Sequence, residues 1–142
     1  MFKLRFLIGL FALAAMLAAC GPAGDQTLQV SDVWARPGLA DGNSAVFFKI
    51  DNSGAEDTLL SASSDVAGAV ELHKTSMQEG VMKMEHQMSV PVPTGKTEFK
   101  PGDLHVMLIG LTDDLQADDT FSVSLNFENA GEKPLEVIVR EP

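Results

Sequence analysis

No stretch of this chain sustains the 3.6-residue apolar period of an amphipathic helix; its apolar residues come in short runs closed off by Gly, Pro, Asn and Asp. Candidate strands are Leu28 to Ala35, Ala45 to Asp51, Thr58 to Ser61, Ala69 to Ser76, Val81 to Met88, Thr97 to Phe99, Leu104 to Leu111, Phe121 to Phe127 and Leu135 to Val139. The breakers between them are Pro37-Gly38, Asp51-Asn52-Ser53-Gly54, Glu79-Gly80, Pro91, Pro93, Gly95, Pro101-Gly102, Asp118-Asp119 and Gly131. Short strands at this spacing predict an all-β antiparallel sandwich or barrel. No internal repeat or low-complexity segment interrupts the pattern.

The first residues are a different element. Lys3 and Arg5 precede an apolar stretch from Phe6 to Leu17, and Leu17-Ala18-Ala19-Cys20 ends it. This reads as a secretory leader over residues 1–19, too short to span a bilayer as a helix. Small residues directly before the only cysteine resemble the lipobox of bacterial lipoproteins, which implies cleavage before Cys20 and lipidation of its sulfur. Residues 20–26 then form a lipidated tether and 27–142 one domain. Gly21 after the cysteine resembles lipoproteins sorted to the outer membrane, so the expected location is the periplasm, on a membrane surface. With Cys20 as an anchor, no disulfide is available. Loss of Lys3 and Arg5 leaves 8 basic against 20 acidic side chains, a net charge of −12, which argues against nucleic acid and anionic lipid as partners because both would be repelled.

The chemistry lies in one spacing: His73, ten residues, Met84, twenty residues, then His105-Val106-Met107. Thioether sulfur is a neutral, polarizable donor suited to reduced copper, whereas zinc and calcium favour thiolate, imidazole or oxygen. The expected cargo is Cu(I), held by His73, Met84, His105 and Met107. A lone strand histidine is more often a surface or hydrogen-bonded residue than a ligand, and methionine packs irregular cores well. Clustering argues otherwise. Five of seven methionines and all three histidines lie between His73 and Met107, and the last 35 residues contain neither type.

Strand alternation sets His105 and Met107 on one face and Leu104, Val106 and Leu108 on the core face. A four-residue connection from Met77 to Gly80 is expected to join Ser76 to Val81, which places His73 opposite Met84 and Lys74 opposite Lys83, a mildly unfavourable pair. Met77 then sits in the turn as an accessory sulfur or an exposed loop residue. His86 and Met88 share the parity of Met84 and could extend the cluster.

In these residues the chain resembles the PCuAC family of periplasmic copper chaperones, marked by a histidine, a methionine eleven positions on, and a later His-x-Met. Asp32-Val33-Trp34-Ala35-Arg36, Asn52, Asp57-Thr58-Leu59-Leu60, Glu71-Leu72-His73, Gly80-Val81-Met82-Lys83-Met84, Lys100-Pro101-Gly102 and His105-Val106-Met107-Leu108 extend the match over nearly all of residues 28–140. The resemblance implies a cupredoxin-like Greek-key β-sandwich that carries Cu(I) in the cell envelope and loads the CuA site of cytochrome c oxidase or another copper acceptor. This chain is one residue shorter than the family between Met84 and His105, a deletion the Pro-rich loop is expected to absorb. Some relatives carry a His- and Met-rich tail where this sequence reads Arg140-Glu141-Pro142, so a second, tail-borne copper site is not expected.

An electron-transfer blue-copper protein needs a cysteine thiolate beside its histidines, and the only cysteine is at the anchor. Copper storage or detoxification, and a metal-free interaction lipoprotein, are the alternatives. No nucleophile elbow, phosphate loop or HExxH segment is present, so no enzyme is expected. Asp113-Asp114 and Asp118-Asp119 read as solvated turns, and Trp34 with Arg36 as a buried aromatic beside a surface charge with a possible docking role. A monomer is expected.

Overall fold

A computed structural model describes residues 27–142, so the leader, Cys20 and the whole of the tether fall outside the described residues. The strands are β1 (Leu28–Ala35), β2 (Asn43–Asn52), β3 (Asp57–Ser63), β4 (Ala67–Gln78), β5 (Val81–His86), β6 (Val90–Val92), β7 (Gly95–Phe99), β8 (Leu104–Leu111), β9 (Thr120–Phe127) and β10 (Gly131–Val139). No helix forms among the described residues. The hydrogen-bonded order is β5-β4-β8-β2-β1-β10-β9-β3-β6, with β7 pairing the far half of β2. Neighbours distant in sequence, such as β4 with β8 and β3 with β9, are the crossovers of a Greek key.

The all-β class and sandwich architecture hold, with one amendment to a purely antiparallel sheet. β1 and β10 run parallel, pairing Trp34 with Ile138 and Ala35 with Val139. This pair joins the two halves of the sheet, which face each other across a single core. Val46, Phe48, Ile50, Leu72, Val106 and Leu108 come from one half; Leu59, Val92, Val123, Leu125, Phe127, Val137 and Val139 come from the other.

Alternation explains which strands were legible. β1 and β8 have the bounds expected from their apolar pattern. β6 was missed because Pro91 reads as a breaker, yet β6 lies at the end of the hydrogen-bonded path, pairs only with β3, and so tolerates a residue without an N–H. Pro134 inside β10 is tolerated similarly: opposite Ser124 of β9, it lies before the residues of β10 that pair with β1.

β2 carries the link between fold and site. Ser44 to Phe48 are all buried, so both faces of the strand are covered. Val46, Phe48 and Ile50 point into the main core, where Phe48 stacks on Phe99 at 4.3 Å. Ala45 and Phe47 point outward and form a second, small cluster with Trp34. That outer cluster underlies the site.

Candidate metal centre

The β4–β5 hairpin turns through two residues, Glu79 and Gly80, both with positive φ (52° and 78°), as a type I′ turn requires. The expected four-residue connection is therefore corrected. Gln78 pairs with Val81, Met77 with Met82, Thr75 with Met84 and His73 with His86. Met84 is not directly opposite His73 but one pleat nearer the tip. Shortening the loop by two residues preserves parity, so Met84 still shares the face of His73. The expected Lys74–Lys83 repulsion disappears as well, since Lys74 faces Glu85.

On the other side of β4, His73 pairs with His105 and Glu71 with Met107. All four candidate ligands thus share one face of three adjacent strands. His86, His73 and His105 form a cross-strand row, each neighbouring pair of ring centroids 5.8 Å apart. Phe47 continues the row, 6.3 Å from the His105 ring and 4.7 Å from Trp34. A basin of about 350 Å³ opens here, lined by Phe47, Met84, His105 and Met107 with Arg36 and Met82 among its neighbours. By register Met84 stands one pleat from the histidine row toward the hairpin tip, and Met107 one pleat from it in the opposite direction.

The hydrogen bonds assign the imidazole tautomers. His105 is buried, and its Nδ1 lies 2.9 Å from the Asp103 carbonyl oxygen. A carbonyl only accepts, so Nδ1 carries the proton and Nε2 keeps its lone pair. Burial pushes the His105 imidazole below its ordinary pKa; the Asp103 contact opposes this, and the nearby His73 and Arg36 charges reinforce it. His73 presents the reverse arrangement. Its Nε2 lies 2.8 Å from Glu71 Oε2, and that hydrogen bond holds the Glu71 carboxyl below the usual glutamate range. The ionised carboxylate must accept, so in the neutral form of His73 the lone pair is on Nδ1. Among the described residues, His73 Nδ1 is the buried side-chain nitrogen or oxygen without a hydrogen-bond partner. Such an orphan is uncommon and calls for an explanation.

These residues fit a soft ion. Two neutral imidazoles, each held through its other nitrogen by an oxygen acceptor, is the usual preparation of histidine ligands. Among the described residues no group of three or more His, Cys, Asp or Glu side chains could hold a metal ion, and the further donors on this face are the thioethers of Met84 and Met107. Met84 is 53% exposed, and Met82 is 64% exposed, which removes core packing as the reason for either.

Sequence reasoning missed Glu71 and Phe47 as parts of the centre. Glu71 stands two residues before His73 on the same strand and so on the same face, a signal present in the pattern. Phe47 becomes visible only once β2 lies beside β8. Asp114 and Asp119 are turn residues as expected, accepting from the amides of Ala40 and Gln116. Trp34 is buried, but the cation over it is Arg140 at 4.6 Å, while Arg36 covers Phe47 at 5.2 Å.

A family model described as "Putative lipoprotein LpqE-like" matches residues 28–139. The chain belongs to the LpqE-like family. It is 32% identical over 141 residues to "Putative lipoprotein Lxx21020" of Leifsonia xyli subsp. xyli, covering 95% of this chain and 84% of that protein. It is 34% identical over 116 residues to "Uncharacterized protein RP573" of Rickettsia prowazekii, covering 75% of this chain and 62% of that protein. Among solved structures, it is similar to the copper-bound PCuAC domain from PmoF2 (TM-score 0.68, 20% identity, 82% of this chain and 94% of that one). It is also similar to the apo PCuAC domain from PmoF1 (TM-score 0.67, 22% identity, 82% and 95%) and to the CuI-DR1885 solution structure from Deinococcus radiodurans (TM-score 0.57, 23% identity, 83% and 83%). These likenesses establish the fold, a cupredoxin-like β-sandwich.

Proposed function

We propose that this LpqE-like chain is a copper carrier of the bacterial cell envelope that binds Cu(I) through His73, Met84, His105 and Met107. The observation that carries the reading is the orphaned Nδ1 of His73, in a ring 5.8 Å from that of His105 on the face that also bears both methionines. Similarity to a copper-bound PCuAC domain supports copper as the cargo; preference for the monovalent ion rests on the two thioethers. All four donors are neutral, so a Cu(I) ion keeps its single positive charge and a partner offering thiolates can displace the weaker sulfurs one at a time.

The reading extends to the carrier's setting. Cys20 anchors the protein by lipid to the outer membrane facing the periplasm, in keeping with the lipoprotein family, and the folded unit acts as a monomer without enzymatic activity. The acceptor is a CuA-type site of cytochrome c oxidase. Transfer of bound copper to an isolated CuA domain separates delivery from storage or detoxification, since a storage protein retains its ion. The site itself is tested by anaerobic Cu(I) titration against a chromophoric chelator. One equivalent is expected, with single His73→Ala and Met84→Leu variants each weakening uptake. Unchanged uptake in both variants, or none by the parent protein, rejects the assignment.

A further inference from the structure

The β4–β5 hairpin sorts its side chains unequally. One face carries His73, Thr75, Met77, Met82, Met84 and His86; the other carries Lys74, Ser76, Gln78, Val81, Lys83 and Glu85. Five of the six residues on the first face are soft donors, and the second face has none. Met77 and Met82 are directly opposed next to the turn and are 67% and 64% exposed, so neither fills a core. Directly opposed residues have Cβ atoms about 4.5 to 5.5 Å apart, within reach of one ion for two flexible thioether arms. Met82 also borders the basin that contains Met84, His105 and Met107.

We infer that Met77 and Met82 form a second, outer site for a soft monovalent cation, which captures the ion at the hairpin tip and passes it along Met84 to the histidines. The inference rests on the copper reading above. The hand-over is dative ligand exchange: a sulfur–copper bond to Met77 or Met82 breaks as one to Met84 forms, copper stays monovalent, and neither electrons nor protons move. Two neutral thioethers hold the ion more weakly than the inner set, so the path runs inward. An ion held at the tip is presented to the inner site at a raised effective concentration, which should accelerate loading about tenfold over direct entry.

The test uses the full chain with 13C-methyl methionine, titrated anaerobically with Ag(I) as a redox-inert stand-in for Cu(I), with resonances assigned from single Met→Leu variants. The first equivalent is expected to shift Met84 and Met107, and the second to shift Met77 and Met82 together. Met82→Leu should abolish the Met77 response and leave the first equivalent intact. In stopped-flow mixing, the Met77→Leu/Met82→Leu double variant should load the inner site about tenfold more slowly with unchanged equilibrium affinity. Leucine keeps the apolar bulk at exposed positions, so misfolding does not confuse the result. If Met84 and Met107 respond while Met77 and Met82 stay silent, or if the double variant loads at the parental rate, the outer site is rejected and the inner one stands. Silence of all four methionines rejects the copper reading itself.

Discussion

Replacing Glu71 tests whether the centre is prepared by its surroundings or assembled by the ion. Glu71 lies opposite Met107, and its hydrogen bond at the proposed cargo site is with His73, whose Nε2–H it accepts at 2.8 Å. Losing such a supporting acceptor typically weakens metal binding about 10- to 100-fold. The Glu71 side chain is 39% exposed, so water can take over part of its role, and Glu71→Ala belongs at the lower end, about tenfold. Glu71→Gln keeps an acceptor oxygen but no charge, and charge-assisted bonds are about twice as strong as neutral ones, so a loss of about threefold is expected. Chelator competition reads the affinity. The chain's single tryptophan gives an independent signal, because Trp34 lies one ring beyond Phe47 from His105 and should be quenched on loading. If Glu71→Ala binds as tightly as the parent while His73→Ala does not bind, packing alone orients His73 and the role given to the carboxylate is wrong.

The lowered His105 pKa predicts that protons begin to compete with copper for this ring only below the ordinary imidazole range, so the part of the pH dependence of apparent affinity due to His105 is displaced toward acid, which chelator competition at a series of pH values would locate. For the same group the unfolded chain takes up the proton first, so stability of the copper-free protein is full above about pH 6.5 and declines as pH drops through the folded His105 pKa, measurable by urea unfolding. Asp57, buried at the start of β3, accepts the amides of Thr58, Asn129 and Ala130 at 2.7, 2.9 and 2.8 Å. Burial raises its pKa, but these bonds outweigh it and leave the carboxyl below its ordinary value, so its contribution is present near neutrality and lost in acid as pH falls through that value. Asp57→Ala should cost about 3 kcal/mol at pH 7 by urea unfolding, with far less difference below pH 3. Gly80→Ala places a side chain at φ 78° with open space around it, so only backbone strain acts; about 1 kcal/mol of hairpin stability should be lost, read as faster amide exchange across β5.

Much of the centre was legible because it depends on parity alone. His105 and Met107 share a face whatever their neighbours, and Met84 joined them despite a misjudged turn because the misjudgement was an even number of residues. Register itself was not legible. Glu79 is an unusual residue at a positive φ, so a two-residue turn at Glu79-Gly80 carries a weaker signal than Asn-Gly would. The placement of His86 opposite His73 follows from that register and was missed with it. β6 stayed hidden because proline reports a poor strand former without reporting that the strand lies at an edge. Phe47 looked like core because its strand is apolar on both sides; the order of strands, set by contacts distant in sequence, decides which aromatic lies beneath the histidines.

Because β2 has the hydrophobic interior on one side and the Trp34–Phe47 cluster on the other, the donor atoms are mounted on the outside of a fold that is already complete. Exchanging a sulfur or nitrogen ligand leaves Val46, Phe48 and Ile50 undisturbed, so selection can retune the ion, its affinity or its release while the architecture stays the same. A sandwich of this kind is a durable handle whose working tip is replaceable.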